Sequence, residues 1–347
     1  MVKLAVAIGL LLALLDSTSA AETTEKPIAL RVLHFLPASS PVHTKILVPW
    51  TERIVAETGG RLRFEVYPAM QLGGRPMELY DMVERGMVDI VWTLPSYTPG
   101  RFPLMEIFEL PFMMTTRRAT SRAAWAYYEK FAREEFADVV PLSMHVIGAG
   151  AFHMRDKQIA RLEDLKDRRI RVPSRQSGAT LRRLGAIPVD MPAFQINAAL
   201  RDDQIDGALA NWDFATSSRV INLTKFDCEL SSGGGENFQT SVIVVAMNKM
   251  RYTTLPPDLR AILDRNSGDA LVSWLSGVWG DEEVEGRAAA RALGNSVTEI
   301  TPSEVERFKA GSATVIDEWI ADVTATGKNG RELYKSAKEL VAKFGQP

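Results

Sequence analysis

Short apolar strands alternate with helical stretches along most of this chain, and that alternation limits the folds open to it. A strand over 28–36 ("IALRVLHFL") is followed by a helix over 47–57, which Gly59 and Gly60 stop. In "RLRFEVYP", Leu62, Phe64 and Val66 share one face and Arg61, Arg63 and Glu65 the other, the pattern of a half-buried strand. A helix over 77–84 and the strand "VDIVWTL" come next. This β-α-β rhythm predicts a mostly parallel sheet with helices on its faces.

The rhythm returns further on. A helix over 119–133 precedes "VPLSMHVI", "LEDL" leads into "RIRVP", and helices near 177–184 and 196–201 lead to "AIPVDM" and "IDGALA". The pattern then changes to the continuous apolar strand "TSVIVVAMN" and long helical regions. The last opens at "TPSEVERF", where Thr301 is the expected N-cap, Pro302 suits the first helical position and Glu304 completes a capping box. "SSGGGENF" (231–238) is the expected loop or hinge, and "GAGAFH" (148–153) reads as a turn between strands. The expected architecture is α/β, with one sheet in each half and the chain crossing between them.

Residues 1–21 carry Lys3, a short apolar run and small residues at Ser19 and Ala21, the pattern of a secretory signal. That run is too short to serve comfortably as a permanent membrane span. Cys228 is the single cysteine, so no internal disulfide is available, and it reads as a packed core residue. A formal net charge of -2 gives the molecule no overall attraction for nucleic acid or anionic membranes.

Enzyme signatures are scarce. The chain has no G-x-S-x-G elbow and no Walker-type loop. Its four histidines, His34, His43, His145 and His153, lack metal-site spacing, so no metal and no cofactor are expected. A pairing of Cys228 with a histidine has no supporting local motif.

The stretch "RRIRVPS" (168–174) carries more information. Alternation puts Arg169 and Arg171 on one face and Ile170 and Val172 on the other. Arg171 lies near the carboxyl end of its strand, where open α/β sheets bind ligands, and a guanidinium there matches a carboxylate with two parallel hydrogen bonds. A surface ion pair with Glu163 or Asp164 fits the spacing equally well. Phe35, Trp92 and Trp212 also stand at or just past strand ends, which suggests a lined cleft.

Several motifs in order resemble the periplasmic solute-binding subunits of TRAP transporters, of the DctP type. They are "VYPAMQLGG", "GMVDI", "YTPGRFPLMEIFELPFMM", "LEDLKDRRIRVPS" and "IDGALANW". The resemblance runs from about residue 28 to 250 and implies a two-lobed periplasmic binding-protein fold. Its ligand cleft lies between the lobes, and long helices end the chain. It implies lobe I over 22–150 plus about 239–285, and lobe II over 151–238 plus about 286–347, with helices crossing between them. It also implies a soluble, monomeric periplasmic protein that catalyses nothing and passes an organic acid to small and large membrane subunits.

By the same resemblance, Arg171 takes the ligand carboxylate, and Asn211 or Trp212 replaces a familiar contact. Phe194 stands where an aromatic is often found, with Ala193 competing for the position. Asp167 departs from the usual glycine, Gln195 from the usual acid and Asn197 from the usual tyrosine. Trp212-Asp213 also permits the metal seen in one branch of the family. Phe35, Trp92 and Trp212 favour a monocarboxylate with an apolar or aromatic part. A small dicarboxylate stays open, with Arg155 or His153 as a second cation. A sensor module feeding a membrane receptor is the alternative role.

Overall fold

The computed structural model describes residues 26–231, 235–278 and 282–346. The expected signal peptide, residues 1–21, and part of the glycine run lie outside them.

The strands among these residues are β1 (Ile28–His34), β2 (Leu62–Tyr67), β3 (Ile90–Thr93), β4 (Val139–Val146), β5 (Gly150–Met154), β6 (Arg169–Val172), β7 (Ile187–Asp190), β8 (Gly207–Asn211), β9 (Phe226–Glu229), β10 (Val242–Asn248) and β11 (Ser296–Glu299). They form two sheets, a five-stranded one ordered β2-β1-β3-β10-β4 and a six-stranded one ordered β11-β9-β5-β8-β6-β7. In the first, β1 pairs in parallel with β2 and β3. In the second, β6 pairs in parallel with β7 and β8.

Each sheet also takes a strand delivered by a crossing of the chain. β10 runs antiparallel between β3 and β4, and β5 antiparallel between β8 and β9. β10 is buried along its whole length, which explains why "VIVVAMN" shows no alternation. Residues 147–149 are the connection from β4 to β5, so the turn expected over 148–153 covers only their span before β5 begins. The rest of "GAGAFH" is strand, and every residue of β5 is buried.

Helices join the two halves. The helix Pro302–Ala325 buries Val305 and Phe308 in the core of the second sheet and Val315, Trp319 and Val323 in that of the first. Trp319 fixes the far end by donating its indole N–H to the Pro103 carbonyl at 2.9 Å. The helix Gly330–Gly345 then packs on the helix Arg117–Tyr127 beside the first sheet.

Thr301 is the N-cap of Pro302–Ala325, but its side chain makes no capping hydrogen bond. Glu304 instead accepts from the Leu162 amide at 2.9 Å and pairs with Arg307. The acidic side chain is spent on tying the helix to the second sheet rather than on closing its own first turn.

Candidate functional site

The carboxyl ends of β1, β3, β6 and β8 converge on a cavity between the two sheets. It encloses about 650 Å³ counting its mouth, and most of its wall is apolar.

Arg171 lines it from β6 and is only 3% exposed. Its Nε donates to the Met191 carbonyl at 2.9 Å and one terminal nitrogen to the Leu209 carbonyl at 3.0 Å. Those contacts hold the plane of the guanidinium but supply no counter-charge. Among the described residues no carboxylate forms an ion pair with Arg171. Glu163 pairs with Arg307 and Asp164 with Lys157 and Arg161, so the surface pairing open to Arg171 on spacing alone is not made. Burial lowers the Arg171 pKa from its ordinary value, and Tyr97 and Asp190 oppose that shift. A guanidinium is not deprotonated in a protein, so the result is a buried cation with little local compensation.

Its neighbour in sequence does different work. Arg169, which shares its strand face, pairs with Asp206 at 2.6 Å, and Asp206 also accepts the Arg169 amide. Arg169 therefore fastens β6 to the turn entering β8.

Asn211 ends β8, is 6% exposed and lines the same cavity. Its side-chain amide makes no hydrogen bond among the described residues, so it is available to something inside the cavity. Gly150 opposes it across the β5–β8 ladder. A Cβ at Gly150 would stand 2.9 Å from Oε1 of Gln239 and 3.2 Å from Leu209, so a larger residue would push these two side chains aside.

The first sheet supplies aromatics. Phe35 follows β1 and packs on Trp92 of β3, with ring centroids 5.4 Å apart, and on Tyr97, 5.6 Å apart. Trp92 donates its indole N–H to Nε2 of His145 at 3.3 Å, and His145 Nδ1 lies 3.3 Å from the Ser143 hydroxyl. Burial, with a smaller contribution from Arg117, lowers the His145 pKa to about 3. The ring is therefore neutral at pH 7, and because Nε2 accepts, Nδ1 carries the proton. Tyr97 reaches across to the second sheet, where its hydroxyl accepts the Ala193 amide at 3.4 Å. Phe214 adds a further ring from the second half.

Phe35, Trp92, Arg171 and Asn211 are thus brought together, whereas Trp212 and Phe194 are not. Trp212 succeeds Asn211 at a strand end, so its side chain leaves on the opposite side. It is 1% exposed in a separate cluster with Ile196 and Leu200, donates to Glu229, and stands edge-on to His153 at 5.0 Å. Phe194 is 54% exposed, because the short turn Ala193–Gln195 directs Ala193 into the cavity and Phe194 out to an outer depression.

His153 is held by Asp227 at 2.7 Å and by the Ala210 carbonyl, and Arg155 by Asp156 and Asp203, so neither is a second cation for this cavity. Asp213 lines the cavity and pairs with Arg117 at 3.7 Å. No group of acidic, histidine or cysteine side chains among the described residues is arranged to hold a metal. Tyr97 and Phe214 escaped sequence reasoning. Tyr97 stands four residues beyond β3, where no periodicity marks a site.

A buried cation facing an aromatic wall between two sheets defines a ligand-binding protein of the two-lobed class. The chain belongs to the DctP family, the bacterial extracellular solute-binding proteins of family 7, whose profile matches residues 32–322. It is 44% identical to a TRAP solute-binding protein of Rhodoferax ferrireducens, crystallised with copurified benzoate. That match covers 91% of this chain and 98% of the other, with a TM-score of 0.89. A TRAP solute-binding protein from a marine metagenome, specific for aromatic acid ligands and solved with 3-hydroxybenzoate, is 34% identical over 93% of this chain and all of the other, with a TM-score of 0.90. The outer membrane transporter protein TsaT of Comamonas testosteroni is 25% identical over 86% of this chain and 87% of its own length.

Proposed function

We propose that this chain captures an aromatic monocarboxylate in the periplasm and delivers it, unconverted, to the membrane subunits of a TRAP transporter. The observation that carries this reading is Arg171, a cation buried with no ion pair among the described residues, in a cavity whose opposite wall is aromatic. A carboxylate entering the cavity loses water and needs charge-assisted hydrogen bonds in return. Arg171 supplies the charge and the Asn211 amide a further donor. Phe35, Trp92 and Tyr97 cover the ring.

The cation and the ring-binding wall come from different sheets, so a ligand that touches both favours the closed arrangement of the lobes. That closed form is the one the membrane subunits would recognise. The aromatic acids held by the two solved relatives support the ligand class. A thermal-shift panel of organic acids tests the reading. Benzoate and its close analogues should raise Tm, aliphatic dicarboxylates should not, and no added acid should be consumed. A Tm that rises with succinate and stays fixed with benzoate would contradict it.

A further inference from the structure

The segment that follows β7 anchors two groups of the cavity, one from each half. The Met191 carbonyl accepts Nε of Arg171 at 2.9 Å, and the Ala193 amide donates to the Tyr97 hydroxyl at 3.4 Å. Two residues of chain span at most about 7 Å, so the guanidinium and the phenol oxygen are fastened close together. Both side chains line the cavity. Arg171 comes from β6 in the second sheet, and Tyr97 from the short turn Pro95–Tyr97 that follows β3 in the first.

The electrostatics agree with that placement. Burial raises the Tyr97 pKa, and the Arg171 charge leads the effects that oppose the rise. Burial lowers the Arg171 pKa, and Tyr97 leads the effects that oppose the fall. The phenol therefore keeps its proton at neutral pH. Asp190 acts on both groups through its charge, but hydrogen-bonds neither of them among the described residues.

Two donors are left over at this point. A phenol oxygen can accept while its O–H donates. The Tyr97 oxygen accepts the Ala193 amide, and its own O–H has no acceptor among the described residues. The second terminal nitrogen of Arg171 donates to no carbonyl or carboxylate among them either. An unmade hydrogen bond at a desolvated site costs stability, and two adjacent donors suit the two oxygens of one carboxylate.

Resting on the aromatic-acid reading above, we propose that Tyr97 binds the ligand carboxylate directly, its hydroxyl donating to one oxygen while Arg171 serves the other. Its ring still lies against Phe35, so one side chain contributes to the wall and to recognition of the acid group. The carboxylate by itself then joins the first half to the second. A hydroxyl that donates to an anion forms a stronger and shorter bond than one that donates to a neutral oxygen, so this arrangement selects the ionised acid.

Calorimetry of benzoate binding to the wild type and Tyr97→Phe, with a crystal structure of the wild-type benzoate complex, tests this. Tyr97→Phe keeps the ring and loses the hydroxyl, and a melting curve confirms that the variant folds. Its affinity for benzoate should fall about tenfold or more. In the crystal, Oη of Tyr97 should lie about 2.5–3.0 Å from a carboxylate oxygen, a contact that a merely structural role for the hydroxyl would not produce. An affinity unchanged within a factor of about two, or an Oη more than about 3.5 Å from both carboxylate oxygens, would overturn the assignment of Tyr97 while leaving Arg171 and the aromatic wall intact. Failure of benzoate to bind the wild type would instead overturn the aromatic-acid reading, and this inference with it.

Discussion

Trp92 of β3 donates to His145 of β4 across the intervening strand β10, and the 3.3 Å contact sets the indole that faces the cavity. The acceptor role requires His145 to stay neutral, and its pKa of about 3 ensures that. His34, at the end of β1, is likewise lowered to about 3, by burial first and by His43 second.

A stability prediction follows from the sign of these shifts. Both folded pKa values lie below the ordinary 6.5, so as pH falls from 6.5 towards 3 the unfolded chain takes up protons that the folded chain refuses. These two histidines therefore withdraw stability over that window, by an order of a few kcal/mol each. In calorimetric melts at pH 7, 5.5 and 4.5, His145→Gln should lose less Tm on acidification than the wild type. Parallel curves would remove His145 from the account.

Glu109 should act in the opposite sense. Burial raises its pKa to about 7, although it accepts the Val242 amide at 3.0 Å. Its protonated form is favoured in the folded chain, so its contribution is fully present below about pH 4.5 and is lost as pH rises through 7. The Tm advantage of Glu109→Gln over the wild type should grow between pH 4.5 and 7 and level off above. An advantage that shrinks over that range would contradict this.

Glu106 links the two halves. It receives Nε of Arg175 at 2.7 Å and the side chain of Gln176 at 2.9 Å, both from the start of the helix Arg175–Arg183. Glu106→Ala leaves Gln176 without its buried acceptor and should cost about 1–3 kcal/mol of stability. Because the contact spans the halves, benzoate should also bind more weakly, which isothermal titration would register. Unchanged stability and affinity would show that this contact does not hold the closed arrangement.

Trp212→Phe separates site from scaffold. It removes the hydrogen bond to Glu229 and some packing against His153 without touching the cavity wall. Tm should fall, and affinity for benzoate should stay within a factor of about two. A large loss of affinity at unchanged Tm would place Trp212 in the site after all.

Much of this was legible in the sequence, for particular physical reasons. Strands with strong apolar runs or alternation, such as β2 and β10, announce themselves. β9 and β11 do not, since "FDCE" and "SVTE" are short and charged and are held by strand pairing, β9 between β11 and β5 and β11 on β9. Arg171, Trp92 and Phe35 could be read from their places at strand ends, and Asn211 from the family resemblance. Trp212 shows the limit of that reading, because one residue of register turns a side chain from cavity to core. Phe194 and Ala193 differ by the same single step on a turn, which no periodicity resolves. Tyr97 reaches the cavity through tertiary folding of a loop, and the sequence around it carries no local sign of that.

The central claim is that Arg171 is buried to receive a carboxylate. Calorimetry of benzoate binding to the wild type, Arg171→Ala and Arg171→Lys tests it most directly. The account predicts a measurable Kd for the wild type and a loss of about 2–5 kcal/mol for the alanine variant. The lysine variant should also bind poorly, because a point charge does not reproduce the planar fork. Benzoate bound by Arg171→Ala with wild-type affinity would contradict it.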